Sequence, residues 1–310
     1  MVDGEFRLMK AIPTGEACLA CHGGSIKPEL AALITDTRLA EISGMAASPT
    51  HPGVLWAHND SGDDSRLFAI DHDGKVRGAL EIEGVEHVDW EDMAAFEHDG
   101  KAWLLVADTG DNGGIRGVLD LLVVAEPQTL EPDSRTSPAW TVRFRWPDGA
   151  RDCEAVAVDA AAGYVYLVAK KRVPPEVWRV PLHPLGEEPV AAERVGTLAG
   201  VVQPSAADLE RNPVYGRYRS QITSADISAD GRRFAALNYR TAYVFTRTDG
   251  EDWSTALARE PLDLALPWLP QAESLAFDSG GDAVWISSEK LPAPLLQVSL
   301  PPLADATTAP

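Results

Sequence analysis

Short runs of Val, Leu, Ile, Trp and Tyr recur along the chain, each closed by an Asp-Gly, Gly-Gly, Asn or Pro turn signal, and this pattern predicts strands rather than helices. The runs follow one template. A polar or acidic residue followed by small and apolar ones opens ISGMAAS (42–48), EDMAAF (91–96), EAVAVD (154–159), ADISAD (225–230) and ESLAFD (273–278). A Gly-containing turn then leads to a second run: VLWAH (54–58), WLLVA (103–107), YVYLVA (164–169), RFAALN (233–238) and AVWISS (283–288). Third runs follow at RLFAID (66–71), LDLLVVAEP (119–127), VWRVPL (177–182), TAYVFTR (241–247) and LLQVSL (295–300). Four units add a fourth run, at GALEIE (78–83), WTVRFRW (140–146), ERVGTLA (193–199) and TALARE (255–260).

Four-stranded units repeated at regular spacing define an all-β fold, the β-propeller, here with five four-stranded blades. The last unit lacks a fourth strand, and ITDTRLA (34–40) is expected to supply it and close the ring. A sixth blade would have to come from the irregular stretch 200–220, whose one periodic run is SAADLERN (205–212). A β-sandwich uses the same strands, but equivalent positions recurring five times favour radial repetition. The expected organisation is a short irregular N-terminal extension over 1–35, a propeller over 36–302 and a disordered tail over 303–310.

In a propeller the first strand of each blade lines the central channel, so register becomes location. Glu91, Glu154 and Glu273 share one template position, with Ser43 and Ala225 in the other two units, and are expected at one channel mouth. Period-2 alternation is expected to turn Asp92 and Asp226 the other way. The loops between second and third strands reach the same mouth. They carry His58-Asn59-Asp60, Asp108-Thr109-Gly110-Asp111, Lys170-Lys171-Arg172, Asn238-Tyr239-Arg240 and Glu289-Lys290. Converging carboxylates repel unless protonated, paired or bound to a cation, and hard oxygen ligands suit Ca²⁺ or Mg²⁺. Asp60, Glu91, Asp108, Glu154 and Glu273 are therefore the candidate metal ligands. Lys170, Lys171 and Arg240 are the candidate holders of a substrate phosphate or carboxylate, and Glu154 and His58 the candidate acid–base residues. Asp63 and Asp111 also fit turn roles, and Cys153 fits a buried small hydrophobe.

Composition limits the partners. The 310 residues are 45% hydrophobic and 24% charged, with 47 acidic against 27 basic side chains and a net charge of −20. That charge disfavours nucleic acid and anionic membrane surfaces and favours cations. No run approaches the roughly 18 apolar residues of a spanning helix, and MVDGEFRLMK has neither the basic nor the apolar region of an export signal.

Cys18-Leu19-Ala20-Cys21-His22 is a C-x-x-C-H motif, the attachment pattern of haem c, with His22 as axial ligand. A redox pair or half a zinc site are its other readings. The string FRLMKAIPTGEACLACHGGSIKPEL (6–30) resembles the tail of a family of single-haem, sensor-like periplasmic domains, which implies haem attachment through Cys18 and Cys21. The body from 41 to 300 resembles secreted bacterial propellers of the gluconolactonase-like and esterase-like phytase kind, through ISGMAASPTHPGVLWAHNDSGD, DWEDMAAF, VADTGDN, CEAVAVD and TSADISADGRR. That resemblance implies a divalent cation near the channel and a periplasmic or secreted location. Three functions follow as expectations: a Ca²⁺-dependent hydrolase of an ester, lactone or phosphoester; a propeller that binds a small anion or a partner protein without chemistry; and a haem-bearing electron-transfer or sensor protein.

Overall fold

The structure is a computed structural model that describes residues 26–60, 62–213 and 216–303. The C-x-x-C-H motif at Cys18, Cys21 and His22 lies outside the described residues. After β1 (Glu29–Ile34), blade one runs through β2 (Ile42–Ala47), β3 (Val54–Asn59), β4 (Arg66–Asp71) and β5 (Val76–Ile82). Blade two comprises β6 (Trp90–His98), β7 (Lys101–Asp108), β8 (Leu119–Ala125) and, after the short β9 (Ser134–Thr136), β10 (Trp140–Arg145). Blade three is β11 (Cys153–Asp159), β12 (Tyr164–Ala169), β13 (Glu176–Pro181) and, after β14 (Val190–Ala191), β15 (Glu193–Thr197). Blade four is β16 (Ile222–Ile227), β17 (Arg233–Asn238), β18 (Thr241–Thr246) and β19 (Leu262–Ala265). Blade five is β20 (Ala272–Phe277), β21 (Ala283–Ser288) and β22 (Ala293–Ser299), to which β1 adds the outer strand.

The fold is the expected five-bladed propeller, and the first strands β2, β6, β11, β16 and β20 pack against one another in a closed ring. The connections also lay β9 in parallel on β5 and β14 in parallel on β10, covering those blade edges. Between blades sit the large apolar side chains: Trp56 and Trp90 between blades one and two, Trp178 between two and three, and Trp285 between five and one. Cys153 is a fully buried core residue, its thiol pushed up to about 12 by burial.

Several local expectations are corrected. The closing strand is Glu29–Ile34, not 34–40, because the Asp36 carboxylate accepts a hydrogen bond from the Arg38 amide at 3.0 Å and holds a turn there. The segment 255–260 is not a strand. Trp253, Ala256 and Leu257 are buried at helical spacing, so the short helix α2 (Trp253–Ala256) forms and β19 supplies the outer strand of blade four. The stretch 200–220 holds α1 (Ala206–Arg211), capped by Ser205, and a 3-10 turn (Gly216–Ser220) rather than a sixth blade.

One irregularity recurs in every blade. Each first strand skips one residue against its partner, and the skipped residues are Ser43, Glu91, Glu154, Thr223 and Glu273. Thr223, not Ala225, is therefore the fourth-blade equivalent. A bulge interrupts alternation, so Asp92 also faces the axis. Its carboxylate accepts hydrogen bonds from Val156 N at 2.9 Å, Ala225 N at 3.1 Å and Ser224 Oγ at 3.1 Å, joining blades two, three and four. Asp226 accepts hydrogen bonds from Ile227 N and, across to blade five, Phe277 N, both at 2.8 Å.

Candidate functional site

Three rings of equivalent positions build one channel mouth. Just before the first strands come Glu41, Asp89, Asp152, Gln221 and Gln271; at the bulges come Ser43, Glu91, Glu154, Thr223 and Glu273. At the ends of the second strands come Asp60, Gly110, Lys170, Tyr239 and Glu289, where Asp60, Gly110, Lys170 and Glu289 donate their amides to Glu41, Asp89, Asp152 and Gln271 carbonyls. The bulge lets the strand place a side chain over the mouth without ending its ladder.

Carboxylates meet there. One oxygen each from Asp60, Asp89 and Glu91 lie within 4.8 Å of one another, as do oxygens from Glu91, Asp152 and Glu154. Glu91 belongs to both groups, is 5% exposed, and among the described residues its carboxylate takes no hydrogen bond or ion pair. Burial first, and the Asp60 charge next, raise its pKa well above the usual range. Asp89 is raised by burial and by the charges of Asp60 and Asp152. Gly110 makes room for these groups: a Cβ there would lie 2.2 Å from Glu91 Oε1 and 2.3 Å from Asp89 Oδ2.

Lys170 forms an ion pair with Glu154, and Lys171 Nζ reaches Asp152 Oδ2 at 3.0 Å and Asn112 Oδ1 at 2.9 Å. Asp108 is held by Arg116 at 2.7 Å. Glu273 accepts a hydrogen bond from the Tyr239 hydroxyl at 3.1 Å, and burial together with a hydrogen bond shared with Glu273 pushes Glu289 up to about 9. The Tyr239 phenol is raised by burial and by the Glu273 charge. His58 is fully enclosed, edge-on to Trp90, with Nδ1 2.8 Å from Asn59 O, and burial lowers its pKa to about 4. Asp111 accepts hydrogen bonds from the Ile115 and Arg116 amides at 2.8 and 2.9 Å, a turn role. Arg240 lies apart from the acids, beside Arg219 in a cavity of about 700 Å³ that also touches Lys170 and Tyr239.

Asp89 and Asp152 join the carboxylates at the mouth, and the repeat template missed them. Their signal is the doublet Asp-x-Glu at 89–91 and again at 152–154.

No protein-family model matches the chain, and no curated protein sequence matches it. Among solved structures it is similar to the WD40 repeats of RRP9, at 14% identity and a TM-score of 0.40, over 84% of this chain and 67% of that one. A luciferin-regenerating enzyme is similar at 9% identity and a TM-score of 0.42, over 88% and 95% of the two chains. A chain of the mitotic checkpoint complex is similar at 12% identity and a TM-score of 0.38, over 80% and 62%.

Proposed function

We propose that the channel mouth binds a divalent cation, Ca²⁺ or Mg²⁺, and that the chain is a cation-dependent hydrolase of an anionic ester, lactone or phosphoester. The observation that carries this reading is Glu91: a buried carboxylate that among the described residues takes no hydrogen bond or ion pair, with only the more distant Lys170 charge in its favour, at the meeting point of two carboxylate groups. Burying an unpaired charge costs several kcal/mol, and a hard cation removes that cost. Oxygen ligands of Ca²⁺ sit about 2.3–2.6 Å from the ion, so those of one shell fall within about 5 Å of each other, which the 4.8 Å grouping satisfies.

In this reading Asp60, Asp89 and Glu91 are the ligands, while Asp108 is engaged by Arg116 and Asp152 by Lys171. A bound cation would polarise a carbonyl or phosphoryl oxygen. Glu154, oriented by Lys170, is the carboxylate placed to take a proton from the attacking water, and His58 serves packing.

The test is thermal unfolding of the chelated chain with added CaCl₂ or MgCl₂. A cation at a hundred times its Kd adds about 2.7 kcal/mol, which moves the Tm of a chain this long by about 4 °C. Glu91→Gln is expected to melt no lower than wild type in chelator and to lose the cation response. A wild type whose Tm ignores both cations at millimolar concentration, or a Glu91→Gln chain that responds as wild type does, would sink the proposal.

A further inference from the structure

Arg240 sits at the tip of the β17–β18 hairpin, where Asn238 Oδ1 accepts hydrogen bonds from the amides of Arg240 and Thr241, both at 2.9 Å. This side-chain-held turn sends Tyr239 to the acidic mouth and Arg240 into the 700 Å³ cavity. Arg219 enters the same cavity from the 3-10 turn, steadied by its ion pair with Asp208 on α1. Among the described residues the Arg240 side chain has no ion pair or hydrogen bond. Burial, and then the charge of Arg219, lower its pKa, with the Asp208 carboxylate opposing them. Two guanidinium groups brought together from separate elements repel, and the Asp208 carboxylate that acts on both is paired with Arg219, which leaves Arg240 to take an anion from the cavity. In a chain of net charge −20, such a cationic arc is where a diffusing anion is drawn.

The cavity's rim carries a second feature. Trp268 leaves 70% of its surface exposed, yet Pro267 and Pro270 bracket it and the adjacent Leu269 is buried at 5% exposure in the core between blades four and five. Prolines restrict the backbone and Leu269 anchors it, so the indole is presented on a stiff support. A large exposed ring fixed in this way is a stacking platform for another ring.

We propose that this cavity is a substrate subsite for an organic oxyanion built on a ring, with its carboxylate or phosphate on Arg240 and Arg219 and its ring on Trp268. The subsite deepens the hydrolase reading and rests on it for the direction of the substrate. Lys170 and Tyr239 belong both to the cavity wall and to the acidic mouth, so a ligand anchored by Arg240 extends its other end toward Glu91 and Glu154.

The experiment is calorimetric titration of the full chain with phenyl phosphate, benzoate and inorganic phosphate, in chelator and again in CaCl₂. At least one of the two ring-bearing probes is expected to bind in chelator, and the stronger of them identifies the head group. Arg240→Gln is expected to weaken it about tenfold, Arg240→Lys less, with Tm unchanged because the side chain lies at a hairpin tip. Trp268→Ala is expected to weaken the ring-bearing probe about fivefold while leaving inorganic phosphate unaffected. Absence of binding by both ring-bearing probes at millimolar concentration, or equal affinity in wild type and Arg240→Gln, overturns the subsite. Arg240-dependent anion binding in a chain that ignores Ca²⁺ keeps the subsite and removes the cation. A Ca²⁺ response without Arg240-dependent anion binding removes the subsite alone.

Discussion

At the scale of single residues, the mouth depends as much on a missing side chain as on those present. Gly110 has an ordinary backbone conformation, so its value is space: an added Cβ would strike the carboxylates of Glu91 and Asp89. Gly110→Ala is expected to lower Ca²⁺ affinity at least tenfold in a calcium titration, with a stability loss of about 1–3 kcal/mol from overpacking. Asp226 shows the opposite economy, a carboxylate kept despite burial because two backbone amides bond to it. Burial outweighs those bonds and pushes its pKa up to about 7. An acid raised in the folded state stays protonated after its unfolded counterpart ionises, so its effect is a stability loss as pH climbs from about 4 to about 7, of order 4 kcal/mol in total. Asp226→Asn is therefore expected to flatten the pH dependence of urea unfolding in that window, and an unchanged slope would assign it elsewhere.

At the scale of elements, ring closure is the step the rest depends on. β1 pairs with β22 from Glu29↔Gln297 to Ile34↔Ala293, so the chain's early segment seals its last blade. Ile34 is fully buried in the core between blades five and one, whereas Leu30 and Leu33 on the same strand are exposed. Ile34→Ala is expected to cost about 2–5 kcal/mol in urea unfolding, and Leu33→Ala close to nothing. Equal effects from the two would mean that β1 does not seat as described. Removing 26–34 would leave β22 as an open edge, a route to aggregation. The helix α2 shows why short elements misread: the alternation in 255–260 suits a strand, but the contact of Trp253 Nε1 with Asp159 at 3.1 Å, from blade three, holds the segment as a helical turn.

At the scale of the whole molecule, acids are gathered at one mouth while basic side chains form an arc beside them. Glu289, pushed up to about 9, together with the raised Glu91 and Asp89, makes the chelated fold lose stability as pH rises from about 4.5 toward 9, because the unfolded chain ionises first. A bound cation opposes that loss by favouring the ionised forms. Thermal unfolding in chelator is expected to give a lower Tm at pH 8 than at pH 5.5, with Ca²⁺ narrowing the gap; a gap indifferent to Ca²⁺ would separate these acids from any cation.

Blade count, strand order and the glutamates at 91, 154 and 273 were legible from the sequence alone, because strand propensity and turn chemistry are local and a repeat prints them five times. The alignment of blade four on Thr223, the inward turn of Asp92, and the recruitment of Asp89 and Asp152 were not. Each follows from a bulge or a cross-blade contact, and a bulge breaks the period of two on which any reading of strand faces relies. The same limit explains the basic residues. Sequence grouped Lys170, Lys171 and Arg240 by charge, and only the folded ring could decide that the two lysines neutralise Glu154 and Asp152 while Arg240 stands apart. Charge is a property of the residue, but what it is spent on depends on which blades the closed ring brings face to face.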